Sequence, residues 1–106
     1  MIIRGGENIS PQEIENVLLT HPQVADVAVI GLPSLEWGEE VLAVVVPKDF
    51  ATPPSFEVLR AHCRSSLASF KCPSAFEIVP EIPRTSSGKI LKKDLRDQYA
   101  NDAIQQ

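Results

Sequence analysis

Apolar residues recur at helical spacing near the start of the chain. Ile14, Val17 and Leu18 stand at positions i, i+3 and i+4, directly after Ser10-Pro11-Gln12-Glu13. A serine N-cap, a proline at the first helical position and a glutamate at the third together predict a helix start with a capping box. A His-Pro pair ends the pattern, so we predict a helix over about residues 11–20 that buries one face.

Two runs rich in valine and isoleucine follow this helix. They cover Val24 to Ile30 and Glu39 to Val46, and the loop between them holds two glycines and a proline. Such runs predict two strands, which we expect to be antiparallel neighbours. The second run is apolar at every position from Val41 to Val46. This predicts that both of its faces are covered and that it is the central strand.

The second half of the chain predicts two more helices around a third strand. Ser55 can cap a helix, residues 75–79 read as a short strand, and a last helix carries an apolar inner stripe. The apolar stripes of these two helices consist of Leu59, Cys63 and Leu67, and of Leu91, Leu95 and Tyr99. The order helix, strand, strand, helix, strand, helix predicts an α+β fold, in which a short, mainly antiparallel three-stranded sheet packs with about three helices.

Length and composition limit the classes of protein. A chain of 106 residues with 43% hydrophobic and 23% charged residues suits one folded domain over residues 1–106. The longest apolar run is far shorter than the roughly 20 residues of a membrane span, and no basic leader precedes the first apolar residues. Two cysteines are a poor disulfide framework, so we expect a cytoplasmic protein with neither membrane span nor secretion signal.

Charge is distributed unevenly along the chain. Residues 1–83 hold five basic and eleven acidic side chains, whereas residues 84–106 hold five basic and three acidic ones. One interpretation is a non-catalytic module that binds nucleic acid or another polyanion through the basic residues of the last segment. These are Arg84, Lys89, Lys92, Lys93 and Arg96. The net charge of −4 argues against this interpretation, so we expect no nucleic-acid partner.

Lys89 is the sharpest candidate for chemistry. It follows Thr85-Ser86-Ser87-Gly88, which we expect to be a flexible loop that presents the ammonium group to an anionic ligand. The segment is not a phosphate-binding P-loop, because Pro83 and Ile90 replace the glycine and the hydroxyl residue that this motif requires. A solvated basic loop before a helix remains the alternative.

Three other segments hold residues that suit ligand binding, and each of them also has a purely structural interpretation. Gly5 and Gly6 allow either a tight turn at positive φ or close approach of a ligand to the backbone. Trp37, in the loop between the first two strands, suits a contact surface as well as a packing anchor. Phe70 and Lys71 place an aromatic ring and a cation beside a helix end, which fits a nucleotide contact or simple capping of the sheet.

The histidines and cysteines do not indicate a metal site. His21, His62, Cys63 and Cys72 show no paired metal-ligand spacing. His62 and Cys63 are adjacent and point to different faces of a helix, so a nucleophile and base pair is not expected either. We therefore expect a buried cysteine and a surface histidine.

Together these segments resemble, in order and spacing, the C-terminal domain of AMP-forming acyl-CoA synthetases. The matching motifs are the run from Met1 to Glu15, Gly31-Leu32-Pro33 with Gly38-Glu39, and Pro83-Arg84-Thr85-Ser86-Ser87-Gly88-Lys89. The adenylate-forming superfamily also includes the luciferases and the adenylation domains of peptide synthetases. The resemblance covers essentially the whole chain.

The resemblance implies a two-step reaction on a fatty or aryl carboxylic acid. The carboxylate first attacks the α-phosphate of ATP to give an acyl-adenylate and pyrophosphate, and coenzyme A then displaces AMP. The small domain caps a large N-terminal domain, where Mg²⁺ is expected, and rotates between the steps. The 106 residues contain neither the ATP phosphate loop nor the acyl pocket of that domain, so the chain alone is expected to be inactive. An adenylation domain that loads a carrier protein is the alternative.

The resemblance also assigns residues. Lys89 matches the lysine that acts in adenylation, and Gly5, Gly6 and Glu7 match the channel for the pantetheine arm. Trp37 matches a tryptophan beside that channel, and Phe70 and Lys71 fall where relatives contact the nucleotide end of coenzyme A. The chain departs from some aryl-CoA ligases at Ile3, Cys72 and Ser74, where those enzymes carry basic residues.

Overall fold

The computed structural model describes the backbone of residues 1–104 and the side chains of residues 1–100. The elements are β1 (Ile2–Arg4), β2 (Glu7–Ile9), α1 (Pro11–Leu19), β3 (Val24–Ser34), β4 (Gly38–Pro47), α2 (Phe56–Arg64), a short 3-10 helix (Ser69–Lys71), β5 (Ala75–Ile78) and α3 (Lys92–Ile104). The α+β class and the order of the six predicted elements are confirmed. The β1–β2 hairpin is an addition that the sequence did not predict.

β4 is the central strand of the three-stranded sheet, as predicted. The order is β3-β4-β5. β3 and β4 pair antiparallel along most of their length, from Val24 opposite Pro47 to Ser34 opposite Gly38. β5 pairs with β4 in parallel and over fewer positions, from Leu42 opposite Ala75 to Val45 opposite Ile78. The sheet is therefore mainly antiparallel, with one parallel edge that follows from the crossover through α2.

Alternate residues of β3 and β4 face two separate hydrophobic clusters. The first cluster includes Val27, Val29, Val41, Ala43 and Val45 with Ile14 and Leu18 of α1 and Leu59 and Cys63 of α2. The second includes Ala28, Ile30, Leu42 and Val44 with Ile82 and Leu95. Both faces of β4 are buried, as its continuous apolar run predicts. Each fully buried aliphatic side chain contributes about 1.5–3 kcal/mol of transfer free energy.

The helix ends follow the sequence closely, with one difference. Ser10 Oγ accepts a 3.4 Å hydrogen bond from the Glu13 N–H at the start of α1, and Ser55 Oγ accepts a 3.2 Å bond from the Val58 N–H at the start of α2. The Glu13 carboxylate does not return to the cap but pairs with Lys71 Nζ at 3.0 Å. The predicted capping box is thus half formed, because the ammonium group competes for the carboxylate.

Within residues 1–104, no helix has both the length and the apolar character needed to cross a bilayer.

Candidate functional site

Lys89 lies at the end of a closed turn. Arg84 and Ile90 form an antiparallel bridge, and the Thr85 N–H donates a 2.8 Å hydrogen bond to the Lys89 carbonyl. The Gly88 N–H donates to the Thr85 carbonyl at 2.9 Å, and Gly88 has φ +90°, which favours glycine. The segment that the sequence predicts to be flexible is therefore folded as a hydrogen-bonded hairpin.

Thr85 also holds the backbone of Lys89 through its side chain. Its Oγ1 accepts a 3.1 Å hydrogen bond from the Lys89 N–H and lies 2.9 Å from Ser87 Oγ. The side chain of Lys89 is exposed, and none of the ion pairs among the side chains of residues 1–100 involves it. The turn therefore fixes the backbone of Lys89 and leaves its amine free for a ligand.

Two neighbouring basic residues are engaged inside the domain. Arg84 Nη1 donates a 2.8 Å hydrogen bond to the Gly88 carbonyl, and Arg84 Nη2 pairs with Asp26 Oδ2 on β3. Lys92 Nζ lies 2.9 Å from Glu15 Oε2. These contacts remove two cations from the basic segment, which weakens the interpretation as a polyanion-binding surface.

Gly5 and Gly6 form the turn of the β1–β2 hairpin. Their φ angles are +57° and +83°, so both take the positive φ that a two-residue type I′ turn requires. The Gly5 N–H donates a 2.8 Å hydrogen bond to the Trp37 carbonyl, and a Cβ at position 5 would lie 3.0 Å from the Trp37 ring. A Cβ at position 6 would meet nothing within 4 Å. The tight turn that the sequence predicts as one alternative is present, and at Gly5 the missing side chain makes room for the Trp37 ring.

Trp37 serves as a packing anchor and keeps an exposed edge. The Arg4 guanidinium lies 4.8 Å from the centre of its ring, and the tryptophan remains 39% exposed. The ring thus supports the hairpin from one side and can contact another molecule from the other. Glu7, which follows the glycines, is exposed.

Phe70 and Lys71 lie in the 3-10 helix beside α1. Phe70 is half-buried against the first hydrophobic cluster, and Lys71 Nζ lies 5.8 Å from the centre of its ring. Because the same ammonium group pairs with Glu13, an anionic ligand at Lys71 would have to share or displace that carboxylate.

The candidate residues do not form one site. Trp37 and Gly5 lie beside the end of β3 at Ser34, whereas the Lys89 turn is tied to Asp26 near the start of the same strand. Ser34 lies eight positions after Asp26 in the extended strand, which corresponds to about 26 Å at 3.3 Å per residue. The structure therefore places the glycine hairpin and the lysine turn near opposite ends of the β3–β4 ribbon.

His62 and Cys63 have separate environments, as predicted. Cys63 is fully buried, and burial together with the nearby Cys72 raises the pKa of its thiol to about 11. His62 is half-buried rather than on the surface, and its Nε2 lies 2.8 Å from Thr20 Oγ1 and 2.9 Å from the Val17 carbonyl. In the part of the chain that the structure describes, no group of three or more His, Cys, Asp or Glu side chains could hold a metal ion.

A family model for the C-terminal domain of AMP-binding enzymes matches residues 13–89, which end at the candidate lysine. The chain belongs to this family. The resemblance that the motifs indicate is thereby confirmed, and so is the α+β fold that it implies.

Similar proteins are ligases. The chain is 45% identical over 102 residues to a fatty acid–[acyl-carrier-protein] ligase of Streptomyces coeruleorubidus, which covers 96% of the chain and 20% of that protein. It is 44% identical over 102 residues to a long-chain-fatty-acid–CoA ligase of Thermus thermophilus, which covers 95% of the chain and 18% of that protein.

Solved structures agree with these relatives. A fatty acyl-CoA synthetase of Mycobacterium tuberculosis superposes with a TM-score of 0.89 at 44% identity, over 96% of this chain and 20% of that one. The chain thus spans about a fifth of the length of the proteins it matches.

Proposed function

We propose that this chain is the mobile C-terminal domain of an ATP-dependent, AMP-forming acyl-CoA synthetase and that Lys89 acts in its adenylation step. The observation that carries the proposal is the geometry of Lys89. Its backbone is held on both sides by Thr85, while its amine is exposed and outside every ion pair of the side chains up to residue 100. A cation presented in this way suits a charged centre supplied by another part of the enzyme.

The chemistry explains why a lysine suits this position. When a carboxylate attacks the α-phosphate of ATP, negative charge accumulates on the phosphoryl oxygens of the transition state. A preorganised ammonium group, desolvated when the domain closes, stabilises that charge. An arginine is a poor substitute because its planar fork differs from a point charge. The large N-terminal domain supplies the sites for ATP, Mg²⁺ and the carboxylic acid.

The separation of the two candidate regions supports a rotation between the reaction steps. Because the anchors of these regions, Asp26 and Ser34, lie about 26 Å apart along β3, we expect Lys89 and the Gly5-Gly6 turn to reach the reaction centre in different orientations of the domain. In the second step the hairpin, with Glu7 and Trp37 beside it, lines the channel for the pantetheine arm. Glycines leave room there for a thin ligand.

Phe70 and Lys71 complete the proposed coenzyme A surface. A half-buried aromatic ring next to a lysine offers an apolar face and a positive charge to the nucleotide end of the ligand. The ammonium group of Lys71 pairs with Glu13, and only 27% of the Lys71 side chain is exposed. A phosphate that binds Lys71 therefore displaces the Glu13 carboxylate or shares the ammonium group with it.

A carrier protein is the second candidate acceptor. Of the similar proteins, the one from Streptomyces coeruleorubidus is named as a ligase for an acyl-carrier protein. Coenzyme A and a carrier protein present the same phosphopantetheine thiol, so the chemistry at Lys89 is the same for both. Assay of the complete ligase with coenzyme A and with a phosphopantetheinylated carrier distinguishes them by which thiol releases AMP.

The test of the proposed function separates the two half-reactions. In the complete ligase, Lys89→Ala should lower carboxylate-dependent pyrophosphate release by about 100-fold or more. Conversion of a supplied acyl-adenylate to the thioester should persist. Lys93→Ala is the matched control, because Lys93 is exposed on α3 and takes part in no ion pair among residues 1–100. Equal loss of both half-reactions in Lys89→Ala would contradict the role of Lys89.

We also propose that the protein works in the cytoplasm. Both cysteines are free, which suits a reducing compartment.

A further inference from the structure

The segment that carries Lys89 is attached to the sheet on both sides. Upstream of the turn, Arg84 pairs with Asp26 of β3. Downstream, Lys92 pairs with Glu15, whose Oε2 also accepts a 2.9 Å hydrogen bond from the Val29 N–H of β3. The attachment is therefore to one strand at two points, and the turn between them has little freedom to tilt.

Arg84 differs from Lys92 in what else it holds. Its Nη1 donates to the carbonyl of Gly88, the residue directly before Lys89, at 2.8 Å. Its Nη2 donates to Asp26 Oδ2, while Asp26 Oδ1 accepts a 2.9 Å hydrogen bond from the Val27 N–H. One guanidinium group thus joins the peptide bond before Lys89 to a carboxylate that is itself held by the backbone of β3.

We propose that Arg84 is a positioning residue for Lys89, and that its bridge from the Gly88 carbonyl to Asp26 sets the direction in which the Lys89 amine leaves the domain. This inference rests on the proposed function of Lys89. Arg84 acts through the backbone of the turn and not by contact with the reacting atoms, since both of its terminal nitrogens already have acceptors inside the domain.

The bridge requires the shape of arginine as well as its charge. Two nitrogens of one planar group donate to two acceptors that lie 62 positions apart in the chain, Asp26 and Gly88. A lysine has a single nitrogen and keeps one of these contacts at full strength. Arg84→Lys should therefore retain the attraction to Asp26 and lose part of the control over the turn.

The experiment measures both half-reactions of the complete ligase. Arg84→Gln should slow pyrophosphate release about 10- to 100-fold, the loss typical of a catalytic group displaced by about 1 Å. Asp26→Asn should slow pyrophosphate release less than Arg84→Gln does, and the effect of Arg84→Lys should lie between those two. Thioester formation from a supplied acyl-adenylate should stay within about 2-fold of wild type in all three, because the glycine hairpin lies at the other end of β3.

A double variant distinguishes positioning from direct contact with ATP. If Arg84 acts only through Lys89, then Arg84→Gln combined with Lys89→Ala should release pyrophosphate no more slowly than Lys89→Ala alone. A further loss in the double variant would show that Arg84 binds substrate itself and would overturn the proposal. Arg96→Gln is the matched control, since Arg96 is exposed on α3 and forms no ion pair within residues 1–100.

The remaining outcomes are also decisive. Equal loss of both half-reactions in Arg84→Gln and Asp26→Asn would mean that the pair only stabilises the fold, which overturns the proposal. Wild-type adenylation in Arg84→Gln, alongside inactive Lys89→Ala, would overturn this inference and leave the proposed function intact. Wild-type adenylation in Lys89→Ala would overturn the proposed function itself.

Discussion

The N–H of Gly5 donates a 2.8 Å hydrogen bond to the carbonyl of Trp37. The two residues lie 32 positions apart, yet the hairpin of β1 and β2 is built directly on the loop between β3 and β4. The Trp37 ring fills the space beside the Gly5 α-carbon, so the close packing of the two loops depends on a missing side chain.

Gly5→Ala should therefore destabilise the domain more than Gly6→Ala does. Both substitutions place a side chain at positive φ, which costs about 1–2 kcal/mol, but only an alanine at position 5 also meets Trp37 at 3.0 Å. We expect a total loss of about 2–3 kcal/mol for Gly5→Ala. Urea unfolding measures both free energies.

The same pair of variants has an optical readout. Trp37 is the single tryptophan of the chain, so its fluorescence reports on this contact. Gly5→Ala should shift the native emission spectrum, whereas Gly6→Ala should not, because nothing lies within 4 Å of a Cβ at position 6. Identical spectra for wild type and Gly5→Ala would show that the ring does not depend on the glycine.

Leu95→Ala should lower the free energy of unfolding by weakening the packing of α3 on the sheet. Leu95 is 3% exposed and belongs to the second hydrophobic cluster, with Ile82 and residues of β3 and β4. Truncation of such a side chain costs about 2–5 kcal/mol. Gln98→Ala on the exposed side of α3 is the control and should change the free energy of unfolding by less than about 0.5 kcal/mol. Similar effects of the two variants would mean that α3 contributes little to the core.

Cys63 should make stability depend on pH in the alkaline range. Burial raises the pKa of its thiol from 9.0 to about 11, so the folded state holds the proton more tightly than the unfolded chain does. The resulting stabilisation is complete below pH 9 and is lost as the pH rises through 11. The difference in free energy of unfolding between wild type and Cys63→Ala should therefore narrow by about 2 kcal/mol between pH 9 and pH 11.

Cys72 supplies the control for this titration. It is half-buried, and the nearby Arg64 opposes the rise in pKa that burial causes. The difference in free energy of unfolding between wild type and Cys72→Ala should therefore narrow less between pH 9 and pH 11. If the differences in free energy of unfolding for the two cysteine variants changed equally with pH, burial of Cys63 would not be the cause of the pH dependence.

Local patterns predicted most of the fold. Ser10 and Ser55 cap the helices they were expected to cap, and the apolar run from Val41 to Val46 lies in the central strand, buried on both faces. The β1–β2 hairpin was not predicted, because its strands have only three residues each. Such short segments carry no readable alternation, and they pair because Gly5 and Gly6 close the turn.

The sequence predicted less of the candidate site than of the fold. The sequence singled out Lys89 and the glycines, but the contacts that hold them join residues distant in the chain, such as Arg84 with Asp26. Arg84 was grouped with the other basic residues, since a sequence gives no sign that a cation is already paired. The expected flexibility of residues 85–88 rested on composition, which does not reveal the hydrogen bonds of Thr85.

The parallel edge of the sheet has a consequence for how the chain reaches its native state. β3 and β4 are joined by a three-residue loop, so they can pair through contacts that are local in the chain. β5 can pair with β4 only after residues 48–74 have folded back across the sheet. Until α2 docks, the free edge of β4 offers unpaired backbone groups to other chains. Aggregation during synthesis is therefore expected to begin at this edge, and the crossover through α2 protects against it.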